Sequence, residues 1–179
     1  IFIKLEKCVL NSAAGVNVVS EGFPEYFESN GIDTVNWFFS PNGVDQDFVD
    51  FPTQKIGLKK NIKTILYAGN IGKGQGLEKV IPVIAKSLGF EYQIKIIGDG
   101  GAISLLRDLI NKENIQNVEL IPPVGRIELT KYYLEADILF LHLNNISAFK
   151  RVLPSKIFEY AALGRPIVAG LNGYSADFM

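Results

Sequence analysis

The segment ILYAGNIGKGQGLEKVIPVIAKSL, residues 65–88, changes its period halfway through. Ile65-Leu66-Tyr67-Ala68 is a run of strand formers closed by glycine. Leu77, Val80, Ile81, Ile84, Ala85 and Leu88 then recur at helical spacing, with Pro82 accommodated in or near the first turns. This is one βα unit, and the pattern repeats downstream. Ile94-Lys95-Ile96-Ile97 precedes Leu105, Leu106, Leu109 and Ile110, and Val118 to Ile121 precedes Leu129, Tyr132 and Tyr133. Ile138 to Leu143 precedes a short apolar helix from about Ser155 to Gly164, and Ile167-Val168-Ala169 supplies a fifth strand. Strands alternating with helices in this way imply an α/β class fold: a Rossmann-like, mainly parallel sheet with helices on both faces and right-handed crossovers.

Upstream the texture differs. Val16 to Val19 and Val35 to Phe39 read as strands around a short helix begun near Ser20, and Pro41-Asn42-Gly43-Val44-Asp45 reads as a turn. Gln46 to Asn61 has little periodicity, as expected of a linker between two lobes. The expected division is therefore 1–45, a linker over 46–61, and an α/β unit over 62–179. The chain has no initiator Met and stops just after a strand and a Gly-containing turn, so it reads as a piece of a longer protein.

Composition removes several function classes. The 179 residues are 47% hydrophobic, ample for a buried core, and 18 Lys+Arg against 19 Asp+Glu leave no global field to attract nucleic acid or an anionic membrane. One cysteine and one histidine, Cys8 and His142, argue against an internal disulfide and a thiolate or imidazole metal site, and suit a reducing, cytoplasmic compartment. No apolar run approaches the roughly 20 residues of a membrane span, and Ile1-Phe2-Ile3-Lys4 lacks the features of a signal peptide.

In parallel sheets ligands lie beyond the carboxyl ends of the strands. The loops there are Gly69 to Gly76, Gly98-Asp99-Gly100-Gly101, Pro122-Pro123-Val124-Gly125, and Asn144 to Ser155. Glycines in such loops either make tight turns or let the main chain approach a phosphate, and both readings stay open here. Neither glycine loop matches G-x-G-x-x-G or G-x-x-x-x-G-K-[ST], so neither a dinucleotide nor a P-loop site is favoured. Lys156 and Glu159 stand three residues apart on one helix face; taken alone they are a solvated ion pair of ~0.2–0.5 kcal/mol. A lone histidine such as His142 is more often packed or hydrogen-bonded than catalytic, and Asp99 is expected to cap its turn or the next helix rather than bind metal.

A set of motifs changes that balance. Tyr67-Ala68-Gly69-Asn70-Ile71-Gly72, Ile97-Gly98-Asp99-Gly100, Val124-Gly125-Arg126 with Tyr132-Tyr133 and Ala136-Asp137, and Pro154-Ser155-Lys156-Ile157-Phe158-Glu159-Tyr160 occur in order. Together they resemble the carboxy-terminal half of a family 4 glycosyltransferase of the GT-B fold, nearest to bacterial surface-polysaccharide members with a P-S-K-x-x-E motif. Val19 to Phe23 and Pro41 to Asp45 are similar to the last part of the amino-terminal, acceptor-binding lobe. The resemblance implies a nucleotide-diphosphate-sugar donor, with UDP the expected nucleotide. The sugar would pass, with retention, to a glycan or lipid-linked acceptor, at the inner face of the plasma membrane for the resembling subgroup and without a metal or other cofactor. It further implies that Glu159 accepts hydrogen bonds from the ribose, that Ser155 and Lys156 lie by the diphosphate, that the backbone at Val124 and Gly125 meets the base, and that Gly69, Asn70, Gly72, Lys73 and Gln75, with Gly98, Asp99 and Gly100, line the donor cradle.

Two departures matter. Many members carry a second glutamate eight positions before the ribose-binding one, and here Arg151 stands there. The first βα loop usually carries an arginine and a lysine where this chain has Asn70 and Gln75. Arg151 and Lys73 are the expected replacements, because a departing diphosphate needs positive charge; Arg151 thus joins Lys156 and Glu159 as an expected catalytic residue. Two other readings remain: a UDP-sugar 2-epimerase of the same fold, and a non-catalytic nucleotide-sugar-binding module. As a piece lacking most of the acceptor lobe, the chain is expected to be inactive alone.

Overall fold

The computed structural model describes residues 2–49 and 61–179. Its larger part is a five-stranded, wholly parallel sheet in which four of the five strands are followed at once by a covering helix. In chain order after the N-terminal elements these are β3 (Lys63–Ala68), α4 (Leu77–Leu88), β4 (Tyr92–Ile97), α5 (Ile103–Lys112), β5 (Val118–Ile121), α6 (Arg126–Glu135), β6 (Ile138–His142), α7 (Lys156–Ala162), β7 (Ile167–Gly170) and α8 (Tyr174–Phe178). The strand order is β5-β4-β3-β6-β7. Register follows from the period of two. Ile65 and Tyr67 of β3, with Ile94 and Ile96 of β4, face the helices α4 and α5, while Leu66 and Ala68 face α6 and α7. Each face thereby buries its own apolar core, and Leu66, Ile94, Ile96 and Leu139 are fully shielded from solvent.

The order of the strands positions the site. From β3 the chain winds outward through β4 to β5, then returns to lay β6 on the other side of β3. The helices that follow β3 and β6 pack on opposite faces of the sheet, so the carboxyl ends of these two neighbouring strands mark the topological switch point where doubly wound sheets bind ligands. The expected parallel α/β sheet is present, with each predicted strand found and its ends moved by at most a few residues.

The N-terminal part contains α1 (Phe2–Ser12), β1 (Val16–Val18), α2 (Pro24–Ser29), β2 (Trp37–Phe39) and α3 (Gln46–Val49), with β1 and β2 paired in parallel. Helix α1 answers to no element of the sequence reading, although Leu5 and Val9 have helical spacing; Ile3, Leu5 and Val9 remain exposed on it. The linker expected over 46–61 lies mostly outside the described residues. Its described start is helical, and Phe48 is buried against Tyr133 at a ring separation of 6.0 Å. Asp45 pairs with Arg126 at 2.6 Å, so α3 is seated on the α6 side of the sheet. No helix among the described residues is long and apolar enough to cross a membrane.

Candidate functional site

Chain order and strand register bring the first two glycine loops together before any side chain is considered. Gly69 N donates to Ile97 O at 2.8 Å, Ile71 N to Asp99 O at 2.8 Å, and Ala102 N to Ile71 O at 2.9 Å. The loops pack so closely that a Cβ on Gly98 would collide with the Gly69 carbonyl, and one on Gly100 would lie 2.6 Å from the Ile71 oxygen. Both residues also have positive φ, +146° and +151°, which side-chain-bearing residues rarely adopt. Gly98 and Gly100 are thus explained by loop-on-loop packing. Asp99 Oδ1 accepts from Gly100 N at 2.7 Å, so this carboxylate caps its own turn, as the sequence reading has it.

Inside the first loop, Gln75 does structural work where a cation was expected by resemblance. Its Oε1 accepts from Asn70 Nδ2 at 2.9 Å and from Gly72 N at 3.1 Å, closing the loop as a ring of hydrogen bonds. From beneath, the buried Tyr67 hydroxyl donates to Asn70 O at 2.6 Å. Burial raises the Tyr67 pKa, so the phenol stays protonated and keeps this bond at physiological pH. Lys73 is exposed, and its carbonyl accepts from Asn144 Nδ2.

Lys156 and Gly69, far apart in sequence, meet here. A Cβ on Gly69 would sit 2.5 Å from Lys156 Cε and 2.6 Å from Nζ, so the ammonium end lies over the first glycine of the loop in the space a side chain would fill. The direction of α7 aims it there, with Ser155 immediately before the helix and Glu159 one turn further along. Burial lowers the Lys156 pKa from 10.5, and the Glu159 carboxylate acts in the opposite sense. A partly desolvated ammonium is suited to an anion, whose charge relieves the cost of burying the cation. Beneath it, Tyr160 is fully buried, receives a long 3.4 Å bond from Ala68 N, and packs edge-on to Tyr133 at 5.8 Å. Tyr133 is thus core and Tyr132 half-buried, with Lys95 Nζ 5.4 Å above the Tyr132 ring.

The remaining sequence-derived residues are spread along the same edge. Val124, in the loop after β5, packs half-buried on the core, and Gly125 precedes α6 with extended backbone. Arg151 points elsewhere. It ends the 3-10 turn Ser147–Arg151, and its guanidinium carbon lies 3.7 Å from the centre of the Tyr26 ring on α2. His142 Nδ1 is 2.5 Å from the Gln75 carbonyl and its ring stacks on Phe140, so it supports the first loop in the packed role expected of it. Asn144 and Phe149 escaped the sequence reading. Asn144 N donates to Gly74 O at 2.9 Å, and the Phe149 ring fills the space beside Gly74. Neither motif nor periodicity marks them; only their position in the fourth loop could have drawn attention. Among the described residues no three His, Cys, Asp or Glu side chains gather as a metal site.

Comparison with known proteins follows this geometry. The family model described as "Glycosyl transferases group 1" matches residues 49–178. A protein of Escherichia coli K12, WcaI, whose name provisionally gives it as a colanic acid biosynthesis glycosyl transferase, is 27% identical over 179 residues, covering 95% of this chain and 44% of its own length. Among solved structures, HepE of Anabaena in complex with UDP and glucose superposes with a TM-score of 0.79 at 16% identity, covering 99% of this chain and 50% of HepE. WaaG, a glycosyltransferase involved in lipopolysaccharide biosynthesis, gives 0.76 at 15% identity, covering 99% of this chain and 50% of WaaG. The chain thus spans less than half of the curated relative, and its α/β unit has the GT-B glycosyltransferase fold.

Proposed function

We propose a role from one fixed premise: this chain belongs to the group 1 glycosyl transferases, whose family model covers most of its length. The proposed role is to bind a nucleotide-diphosphate sugar, with UDP as nucleotide, at the carboxyl edge of the sheet where the β3 loop meets the start of α7. The observation that carries it is the half-buried Lys156 ammonium lying over Gly69, with the carboxylate of Glu159 one turn away. Lys156 and the loop Gly69 to Gln75 would hold the diphosphate, Glu159 would accept from the ribose hydroxyls, and the main chain at Val124 and Gly125 would meet the base. Relatives support the nucleotide, since HepE was solved with UDP.

In the complete protein the bound sugar would pass to a glycan or lipid-linked acceptor of a surface polysaccharide, with retention, at the cytoplasmic face of the membrane. On this reading residues 1–45 belong to the acceptor lobe, and the 179 residues alone bind donor without transferring it. Positive charge for the departing diphosphate would come from Lys156 rather than a metal, so that chelation by EDTA leaves transfer unchanged. Ligand-observed NMR on this chain with a panel of nucleotides tests the core of the proposal. UDP is expected to bind, and to bind more weakly in Glu159→Ala and Lys156→Ala; a panel without any hit, or binding indifferent to both changes, refutes it.

A further inference from the structure

Arg151 is the cation that the sequence assigns to the diphosphate, yet its surroundings belong to the N-terminal part of the chain. Its guanidinium stacks on Tyr26 at 3.7 Å, and among the described residues its buried Nε has no hydrogen-bond partner, which leaves the ring face as the contact of this charge. Its carbonyl accepts from Ser20 Oγ at 2.5 Å, and Ser20 is fully buried. The backbones approach so closely that a Cβ on Gly22 would lie 3.0 Å from Arg151 Cα. A further tie joins the same two regions, where the Tyr174 hydroxyl of α8 donates to Glu21 at 3.1 Å.

The same 144–151 segment also rests on the donor loop, through the bond from Asn144 N to Gly74 O at its start and the Phe149 ring beside Gly74. One short segment therefore touches the glycine loop at its start and α2 at its end. We infer that Arg151 is a positioning residue: stacked on Tyr26, it fixes the 144–151 segment against the N-terminal lobe, and so sets the distance between the donor cradle and the acceptor side. The inference rests on the two-lobe reading above, but it takes from Arg151 the diphosphate role expected of it as a replacement for the missing cations.

The test uses Arg151→Met, Arg151→Lys, Tyr26→Leu and Tyr26→Phe, with the Arg151→Met/Tyr26→Leu double variant. UDP affinity is read on this chain, sugar transfer on the full-length protein, and thermal midpoints on both. Arg151→Met and Tyr26→Leu are each expected to lower kcat for transfer about fivefold, the scale of one partly desolvated cation–π contact, with UDP affinity unchanged. The double variant falls no further than either single one, and Tyr26→Phe, which keeps the ring, behaves as the unsubstituted protein. Arg151→Lys separates the two roles even if the other variants fold poorly. A stacking role loses transfer with lysine, whereas a diphosphate contact survives it. A tenfold loss of UDP affinity in Arg151→Met restored by Arg151→Lys, additive losses in the double variant, or unchanged transfer in all variants would each overturn the inference. Failure of the unsubstituted chain to bind UDP strikes instead at the proposed donor, and leaves the Tyr26–Arg151 coupling to be read from transfer alone.

Discussion

The glycine loop after β3 is closed largely by its own atoms and those of the next loop, whereas the 144–151 segment beside it is fixed at its two ends by different parts of the chain. In the first region main-chain bonds from Gly69 and Ile71 reach the β4 loop, and Gln75 closes the turn internally. In the second, Asn144 and Phe149 grip the glycine loop while Arg151 grips α2. A site needs both kinds of support. Donor phosphates require a cradle that is already formed, because each group left to order on binding costs affinity. Bringing two lobes to a working distance instead requires contacts that read one lobe from the other.

The contrast breaks most visibly at Gly98. In Gly98→Ala a Cβ must displace the Gly69 carbonyl at a positive-φ position, so a destabilisation of about 3 kcal/mol or more is expected in urea unfolding, with UDP binding lost alongside. A near-normal midpoint would show the two loops to be less rigidly joined than their bonds imply. Next in size is Lys156→Ala, expected to weaken UDP about 10- to 100-fold in calorimetry, the range of a charge-assisted contact to phosphate, while the fold melts normally.

The same lysine gives a pH signature. An anion beside Lys156 raises the pKa that burial has lowered, so binding takes up a proton between the lowered value and the ordinary 10.5. UDP affinity should accordingly fall as pH rises through that window, and Lys156→Arg, whose charge does not titrate there, should flatten the profile. Tyr67→Phe removes the donor beneath Asn70 O and should cost about 1 kcal/mol, seen as a lowered melting temperature that UDP partly restores. The smallest effect is expected at Asp45, whose pair with Arg126 is mostly exposed: Asp45→Asn should change stability by less than about 1 kcal/mol. A larger loss would mean that seating of the α3 segment depends on this pair more than on Phe48.

Much of this was legible before any coordinates. The alternation of periods two and 3.6 gave the order of strands and helices from Ile65 to Ala169, because each βα unit is a local pattern. The P-S-K-x-x-E spacing brought out Lys156 and Glu159, and the resemblance it carries led to the family. Illegible were Asn144, Phe149 and the stacking partner of Arg151, since their meaning lies in what they touch. Helix α1 was missed although Leu5 and Val9 are helically spaced, for a single short stripe without caps is a weak signal.

By itself, then, the sequence determined a parallel α/β unit with its loops gathered at one edge, since hydrophobic period and turn chemistry act over a few residues. Only the tertiary structure decided which glycines serve packing, as Gly98 and Gly100 do, and which one lies under a lysine, as Gly69 does. It alone decided that Arg151 faces Tyr26, as it decided that Ser20 bonds a carbonyl 131 residues away. Contacts across such separations leave no periodic trace in a chain; they exist only once both cores have closed and brought the two surfaces together.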